Sequence, residues 1–346
     1  MSLQEALEEF LPQIEAELRE IARIPHQSLA AYYGMIHYHL GWVDENAHPI
    51  QANTGKRLRP LLCLLACRAL GGDTQQALPA AAAVELIHNF SLVHDDIQDN
   101  SRTRRGRRAT WDIWGAAHGI NVGDGLFVLA RLALDRLADG GVSLARQQAA
   151  SLALDRACLS LCEGQFFDMT FQNRLDVDLS QYLWMVRHKT AALLAASSQV
   201  GAIIASDQAN LVEHLYDFGE NLGMAFQVQD DILGIWGHEQ RTGKSAATDL
   251  HDKKKTLPVV YALNQTQDPA AAHELAELYA HPSTLDEPTI QSVLTLLDRV
   301  GAREYSEKTA EGYYQLALKS LEQTGAENAA FFCLRELTAS LLDRDA

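Results

Sequence analysis

The sequence predicts an all-α protein built as one large helical bundle. Three observations carry that expectation. Apolar residues recur at helical spacing along nearly the whole chain, with strong helix formers between them. No run of alternating apolar and polar β-branched residues stands between turn signals. No Pro/Gly/Ser-rich linker, fixed-period repeat or low-complexity tract divides the chain. With 346 residues, 47% of them hydrophobic, one large core is affordable, and a single domain over 1–346 is expected.

Residues 3–23 read as an amphipathic helix with acidic residues on its wet face. Residues 24–43 are uncharged, long enough to span a membrane, but they contain Pro25, Gln27, Ser28 and three histidines. A buried helix of a soluble bundle is expected there, with no transmembrane segment. Residues 57–70 are apolar and stop at Gly71-Gly72. Residues 74–99 form a long Ala/Leu/Val/Ile segment, and 122–137 another, which ends before Gly140-Gly141. The stretches 145–169, 179–205 and 208–233 are long and rich in helix formers, as central members of a bundle are. Shorter helices are expected at 254–263, 271–279, 289–300, 302–323 and 328–342. The polar breaks at 100–110 and 234–252 each follow an aspartate cluster closely, and such loops tend to carry function.

The net charge of -16, from 45 acidic and 29 basic residues, repels nucleic acid and anionic lipid over most of the surface. No nucleic-acid partner is expected. The five cysteines, Cys63, Cys67, Cys158, Cys162 and Cys333, are too few and too odd in number for a disulfide framework. The i, i+4 pairs Cys63/Cys67 and Cys158/Cys162 read as small core residues. The opening MSLQEALEEF is acidic and has no apolar h-region, so no secretory signal is expected and the protein is placed in the cytoplasm.

Asp95, Asp96 and Asp99 lie on or near one helical face, where their charges repel unless a cation intervenes. Hard cations such as Mg2+ suit such carboxylates and complete their shells with phosphate oxygens. Arg102, Arg104, Arg105, Arg107 and Arg108 follow at once, and arginine forks match phosphate. A phosphate group held between Mg2+ and arginine uses both clusters. Asp230 and Asp231 end a second long apolar helix, GMAFQVQDDILG. Two carboxylate walls of this kind can face each other across a bundle cavity.

Asp95-Asp96-Ile97-Gln98-Asp99 with Arg104-Arg105-Gly106 resembles the first aspartate-rich motif of the trans-isoprenyl diphosphate synthases. Phe226-Gln227 ahead of Asp230-Asp231 resembles their second motif. Gly55-Lys56-Arg57-Leu58-Arg59-Pro60 resembles their basic motif. Lys189-Thr190, Thr242-Gly243-Lys244 and Asp249 through Lys254 to Pro258 match further positions in order. The likeness covers about 50–260, with helical extensions on both sides. It departs at Gly234, where the family's second motif usually closes with a third aspartate, and this bears on how tightly a metal binds there.

The resemblance implies an isoprenoid-synthase bundle with a deep central cavity flanked by the two aspartate motifs. It implies a prenyltransferase that joins an allylic diphosphate to isopentenyl diphosphate, usually as a homodimer. Asp95, Asp96, Asp99 and Asp230 would hold Mg2+, three ions with substrate bound, and Asp231 would lie in or near their second shell. Arg104, Lys189 and Lys244 would contact the allylic diphosphate, with Lys254 nearby. Thr190 and Gln227 would face the carbocation. Lys56, Arg57, His88 and Arg105 would bind isopentenyl diphosphate, although a histidine within ELIHNF also reads as a core residue. The released diphosphate would accept the final proton.

Phe90 lies five before Asp95 and Ser91 four before. An aromatic at the fifth position with a small residue at the fourth resembles synthases of geranylgeranyl diphosphate (C20). Farnesyl diphosphate (C15) and longer products stay open, as does plain core packing of Phe90. A metal-dependent terpene cyclase would need no isopentenyl site, which Lys56, Arg57 and Arg105 argue against. An inactive partner subunit is suggested only by Gly234. Tyr38-His39-Leu40-Gly41-Trp42 has no chemical account at this level.

Overall fold

A computed structural model describes residues 1–53, 55–237, 247–264, 266–281 and 284–342. The all-α expectation holds. The chain divides into two compact units: Met1–Asp155 with Ala196–Glu213 and Ala326–Leu334, and Arg156–Ala195 with His214–Gly325 and Arg335–Ala346.

In the first unit, α1 (Leu3–Ile21) starts from a Ser2/Glu5 capping box and buries Ala6, Phe10, Ile14 and Leu18 on one face. The central element is α4 (Thr74–Gln98), capped by Asp73 and packed against α1, α3 (Leu58–Ala69) and α6 (Ala116–Asp135). Residues 80–87 of α4 are buried all round, as a helix at the centre of a bundle must be. Gly201 of α9 (Ala192–Ala205) rests on the Cys63 carbonyl, where a Cβ would collide. Cys63, Cys67, Cys158 and Cys333 are buried, but Cys162 is exposed on the outer side of α7 (Leu144–Phe171).

Residues 24–43 hold a shorter helix than expected. Pro25, Gln27 and Ser28 keep 23–29 exposed, and α2 spans Ala30–His39 with only Ile36 and Tyr38 buried. The helix expected from 122 begins at Ala116, after a short α5 (Thr110–Trp114). The chain also makes a two-residue antiparallel ribbon, β1 (Thr103–Arg104) and β2 (Arg107–Arg108), paired Thr103 to Arg108 and Arg104 to Arg107. Its loop, Arg105-Gly106, takes φ of 53° and 75°, the positive pair that a tight right-twisted hairpin needs.

In the second unit, the helix expected over 179–205 is interrupted. It runs as α8 (Leu179–Val186), a π-helical turn (Arg187–Ala191) and α9. Phe171, Tyr182 and Val186 pack with Met224, Val228 and Ile232 of α10 (Ala209–Trp236) in the core of this unit. The helix expected from 254 starts at Leu257, because Lys253 turns the chain with φ of 53°. Helices at Pro269–Ala280, Glu287–Arg299, Ala302–Glu322 and Ala329–Leu342 complete the chain. Among the described residues no helix is long and apolar enough to cross a membrane.

Candidate active site

The first aspartate cluster closes α4. Asp95 and Asp99 stack one turn apart, Asp95 partly exposed and Asp99 exposed as the C-cap. Asp96 turns inward and is buried. The arginine ribbon folds back onto this end. Arg104 Nε donates to Asp96 Oδ1 at 2.8 Å, and its Nη2 reaches Asp95 Oδ2 at 3.3 Å. Burial pushes the Asp96 carboxyl up to about 6, against the pull of Arg104.

The ribbon is held from the N-terminal side. Tyr38 donates its hydroxyl to the Arg108 carbonyl, and Arg107 donates to the carbonyls of Tyr38 and Val43 at 3.0 and 2.8 Å. The Arg107 guanidinium also lies over the Tyr38 ring, 3.9 Å from its centroid. Tyr38 and Val43, at the two ends of the 38–43 segment, thus clamp the ribbon that presents Arg104 and Arg105.

The basic motif sorts its two arginines. Arg57, at the N-cap of α3 with φ of 48°, is buried, and its guanidinium is held by Glu85 at 2.6 Å and Glu15 at 3.4 Å. Arg57, expected at the anion, is therefore engaged by carboxylates. Arg59 instead donates to His88 Nε2 at 3.3 Å. Burial, then Arg59, Arg105, Arg104 and Arg57, hold the His88 imidazole well below its usual range. His88 is neutral, so its Nε2 lone pair can accept from Arg59. Lys56 is exposed, and Gly55 (φ 82°) lies against the Arg105 guanidinium.

In the second unit, Lys189 sits in the π turn and donates to Asp168 of α7 at 2.6 Å. Gly164 makes that crossing possible: a Cβ there would come within 2.6 Å of the Lys189 Cα. Gly164→Ala is expected to destabilise the fold by about 1–3 kcal/mol, because backbone cannot yield as a side chain can. Chemical denaturation checks this.

Thr190 donates to Gln227 Oε1 at 2.8 Å, and Gln227 Nε2 donates to Asp231 Oδ1 at 3.0 Å. Asp231 is buried, and its Oδ2 also accepts from the Tyr182 hydroxyl and from Leu257 N–H at 2.7 Å. Burial pushes the Asp231 carboxyl up to about 7, while these three donors pull it down. Between 3.8 and about 7 the native group keeps a proton that the unfolded one has lost. Its burial therefore costs nothing below that window and costs fully above it. Stability in EDTA falls across the window as pH rises, and Asp231→Asn removes this part of the slope in denaturant melts.

Asp230 is half-buried within α10, which runs on past the aspartates to Trp236 instead of ending at them. Lys254 pairs with Asp249 at 2.9 Å. A Cβ at Gly234 would collide with Asp249 Oδ2, so the Asp249 carboxylate fills the space into which a third aspartate would project. Lys244, with Thr242 and Gly243, lies outside the described residues. Phe90 is nearly buried and packs edge-on against Phe127 of α6 and against His94. Ser91 turns its hydroxyl to the His88 carbonyl at 2.8 Å.

Arg59, Glu85, Asp168, Tyr182 and Asp249 have no assigned role in the sequence reading. Among the described residues no three His, Cys, Asp or Glu side chains form a ready metal centre. The donor set nevertheless fits Mg2+: hard carboxylate oxygens, with Asp96 Oδ2 buried and without a hydrogen-bond partner.

A polyprenyl synthetase profile matches residues 41–297. The chain is 36% identical over 315 residues to a (2E,6E)-farnesyl diphosphate synthase of Mycobacterium tuberculosis, covering 90% of this chain and 86% of that one. It is 39% identical over 287 residues to a geranylgeranyl diphosphate synthase of the same organism, covering 83% and 80%. Its fold superposes on a polyprenyl synthetase from Streptomyces coelicolor A3(2) with a TM-score of 0.88 and 31% identity, over 98% of each chain. A geranylgeranyl pyrophosphate synthetase from Pyrococcus horikoshii gives a TM-score of 0.86 at 29% identity, over 99% of this chain and 98% of that one. The chain is a prenyltransferase of the polyprenyl synthetase family.

Proposed function

We propose that the protein condenses an allylic diphosphate with isopentenyl diphosphate, head to tail, and that its main product is geranylgeranyl diphosphate. The observation that carries this reading is the pairing, within one unit, of the aspartate-bearing end of α4 with a partly buried group of Arg59, Arg105 and the neutral His88 that Arg59 meets. A cyclase has no use for the second feature.

The allylic C–O bond breaks, and the diphosphate leaves with its electron pair. The isopentenyl double bond attacks the allylic cation at C1, and the new cation loses a proton to form the product double bond. Mg2+, as three ions held by Asp95, Asp96, Asp99 and Asp230, would supply positive charge against the leaving diphosphate. Arg104, Lys189 and Lys244 bind the allylic diphosphate, with Lys254 beside them and Asp231 behind Asp230. Lys56, Arg59, His88 and Arg105 bind isopentenyl diphosphate, while Arg57 anchors the start of α3 that sets Lys56 and Arg59. Thr190 and Gln227 turn oxygen atoms to the cation, and the released diphosphate takes the proton.

Phe90, backed by Phe127, limits chain growth, and Ser91 leaves room beside it. Farnesyl diphosphate is the second reading, favoured by the mycobacterial relative of that name. Incubation with labelled isopentenyl diphosphate, each of three allylic primers, and Mg2+ or EDTA tests both. A Mg2+-dependent C20 alcohol after dephosphorylation supports the proposal. A C15 alcohol moves the product assignment, and no elongation with any primer rejects the synthase reading.

The two units act as one catalytic domain over 1–346, in a cytoplasmic homodimer. Leu152, Leu159 and Phe166 support the dimer: they repeat every seven residues on the outer face of α7 and are half or more exposed. Leu159→Glu is expected to shift the dimer to monomer in light scattering.

A further inference from the structure

Gln227 lies between two groups that ask different things of its amide. Thr190 carries a hydroxyl, which can donate or accept. Asp231 carries a carboxylate, which when ionised can only accept. In the structure the amide NH2 faces Asp231, 3.0 Å away, and the carbonyl oxygen faces Thr190, 2.8 Å away, the orientation that an ionised Asp231 enforces. The direction of the Gln227 dipole is thus set by Asp231. Asp231 is in turn fixed from behind by two donors on its other oxygen: the Leu257 backbone N–H at 2.7 Å and the Tyr182 hydroxyl.

We propose that Tyr182 is a positioning residue for the condensation, holding Asp231 so that Gln227 presents its carbonyl oxygen, and not its NH2, to the allylic cation. The proposal rests on the cation-facing role given above to Thr190 and Gln227. The chemistry needs this sign. An amide oxygen beside a developing cation stabilises it, and an NH2 in the same place opposes it. Tyr182 is fully buried, with a hydroxyl that packing alone would not call for. Its ring packs in the core of the unit against Met185, Met224 and Val228. Of the Tyr182 side chain only the hydroxyl touches Asp231, beside the Leu257 N–H, and the ring can be kept while it is removed.

Tyr182→Phe keeps the ring and deletes the donor. It is expected to lower kcat about 10-fold while both KM values stay within twofold, since a misaimed dipole weakens the reaction more than binding. Asp231→Asn, which can accept from Gln227 or donate to it, is expected to show the same split. In Tyr182→Phe combined with Gln227→Leu, activity is expected to equal that of Gln227→Leu alone, because the hydroxyl acts through the amide. Multiplying losses in the double variant would overturn the proposal, as would unchanged kcat or a loss confined to KM in Tyr182→Phe. Circular dichroism melts of each variant separate these outcomes from misfolding. If the wild-type protein elongates no primer, it is the synthase reading that fails; if it elongates normally and the cycle is additive, only the role of Tyr182 fails.

Discussion

Asp95→Ala lowers kcat/KM by about 10²–10³-fold or more, with little change in stability. Asp95 is partly exposed at the end of α4, and its bond to Arg104 is the longer of that arginine's two carboxylate contacts. Arg104 keeps its shorter bonds to the buried Asp96 when Asp95 is lost, so that pair stays intact. In the proposed function, what disappears is an oxygen that would ligate Mg2+ where the diphosphate leaves. Steady-state rates across a Mg2+ titration, beside urea melts of the same variant, give both halves of the result. A variant that lost stability and rate together would mark Asp95 as a structural residue instead.

Glu85→Ala produces the opposite pattern. Arg57 and Glu85 are both almost fully buried, and their contact is 2.6 Å. Glu85 also accepts from Asn89 Nδ2 at 2.8 Å. Removing the carboxylate leaves a buried guanidinium with only the more distant Glu15, at 3.4 Å. Breaking a buried pair in this one-sided way costs about 3–5 kcal/mol. The pair also pins the left-handed residue from which α3 starts, so Lys56 before it and Arg59 in the first turn loosen with it. Urea melts measure the first effect, and a raised KM for isopentenyl diphosphate in the surviving folded fraction measures the second. Replacing Arg57 and Glu85 together by apolar residues should recover part of the stability, because no charge then remains unpaired.

The helix at 3–21 was legible because burial on one face leaves a repeat of 3.6 residues, whereas α4, buried all round at its centre, was legible from its length and its helix formers. Residues 24–43 misled because low charge resembles burial, whereas Pro25 and its polar neighbours keep the chain outside. The arginine ribbon was invisible because two residues per strand are too few for an alternating pattern. At the site, the aspartates and arginines were legible because charge clusters stand out in apolar surroundings. Their partners were not. Glu85, Asp168 and Tyr182 are ordinary helix residues whose roles arise from what lies opposite them. Arg57 and Arg59 are two apart in one motif, and which of them meets the carboxylates is decided by a single left-handed backbone angle at Arg57.

The π turn at 187–191 has a consequence for tolerance to change. A π turn carries one residue more than an α turn, so α8 and α9 form one rod whose two halves are out of phase by about 100°. Deleting any one residue between Arg187 and Ala191 would bring the halves back into phase while leaving composition and helix propensity almost untouched. That repair is a rotation. It would swing the α8 face bearing Tyr182 about the helix axis relative to α9, or turn Lys189 and Thr190 away from Asp168 and Gln227. A one-residue indel in a surface loop is absorbed by slack. Here it would act as a gear tooth removed, and the regular helix it leaves would be the inactive form.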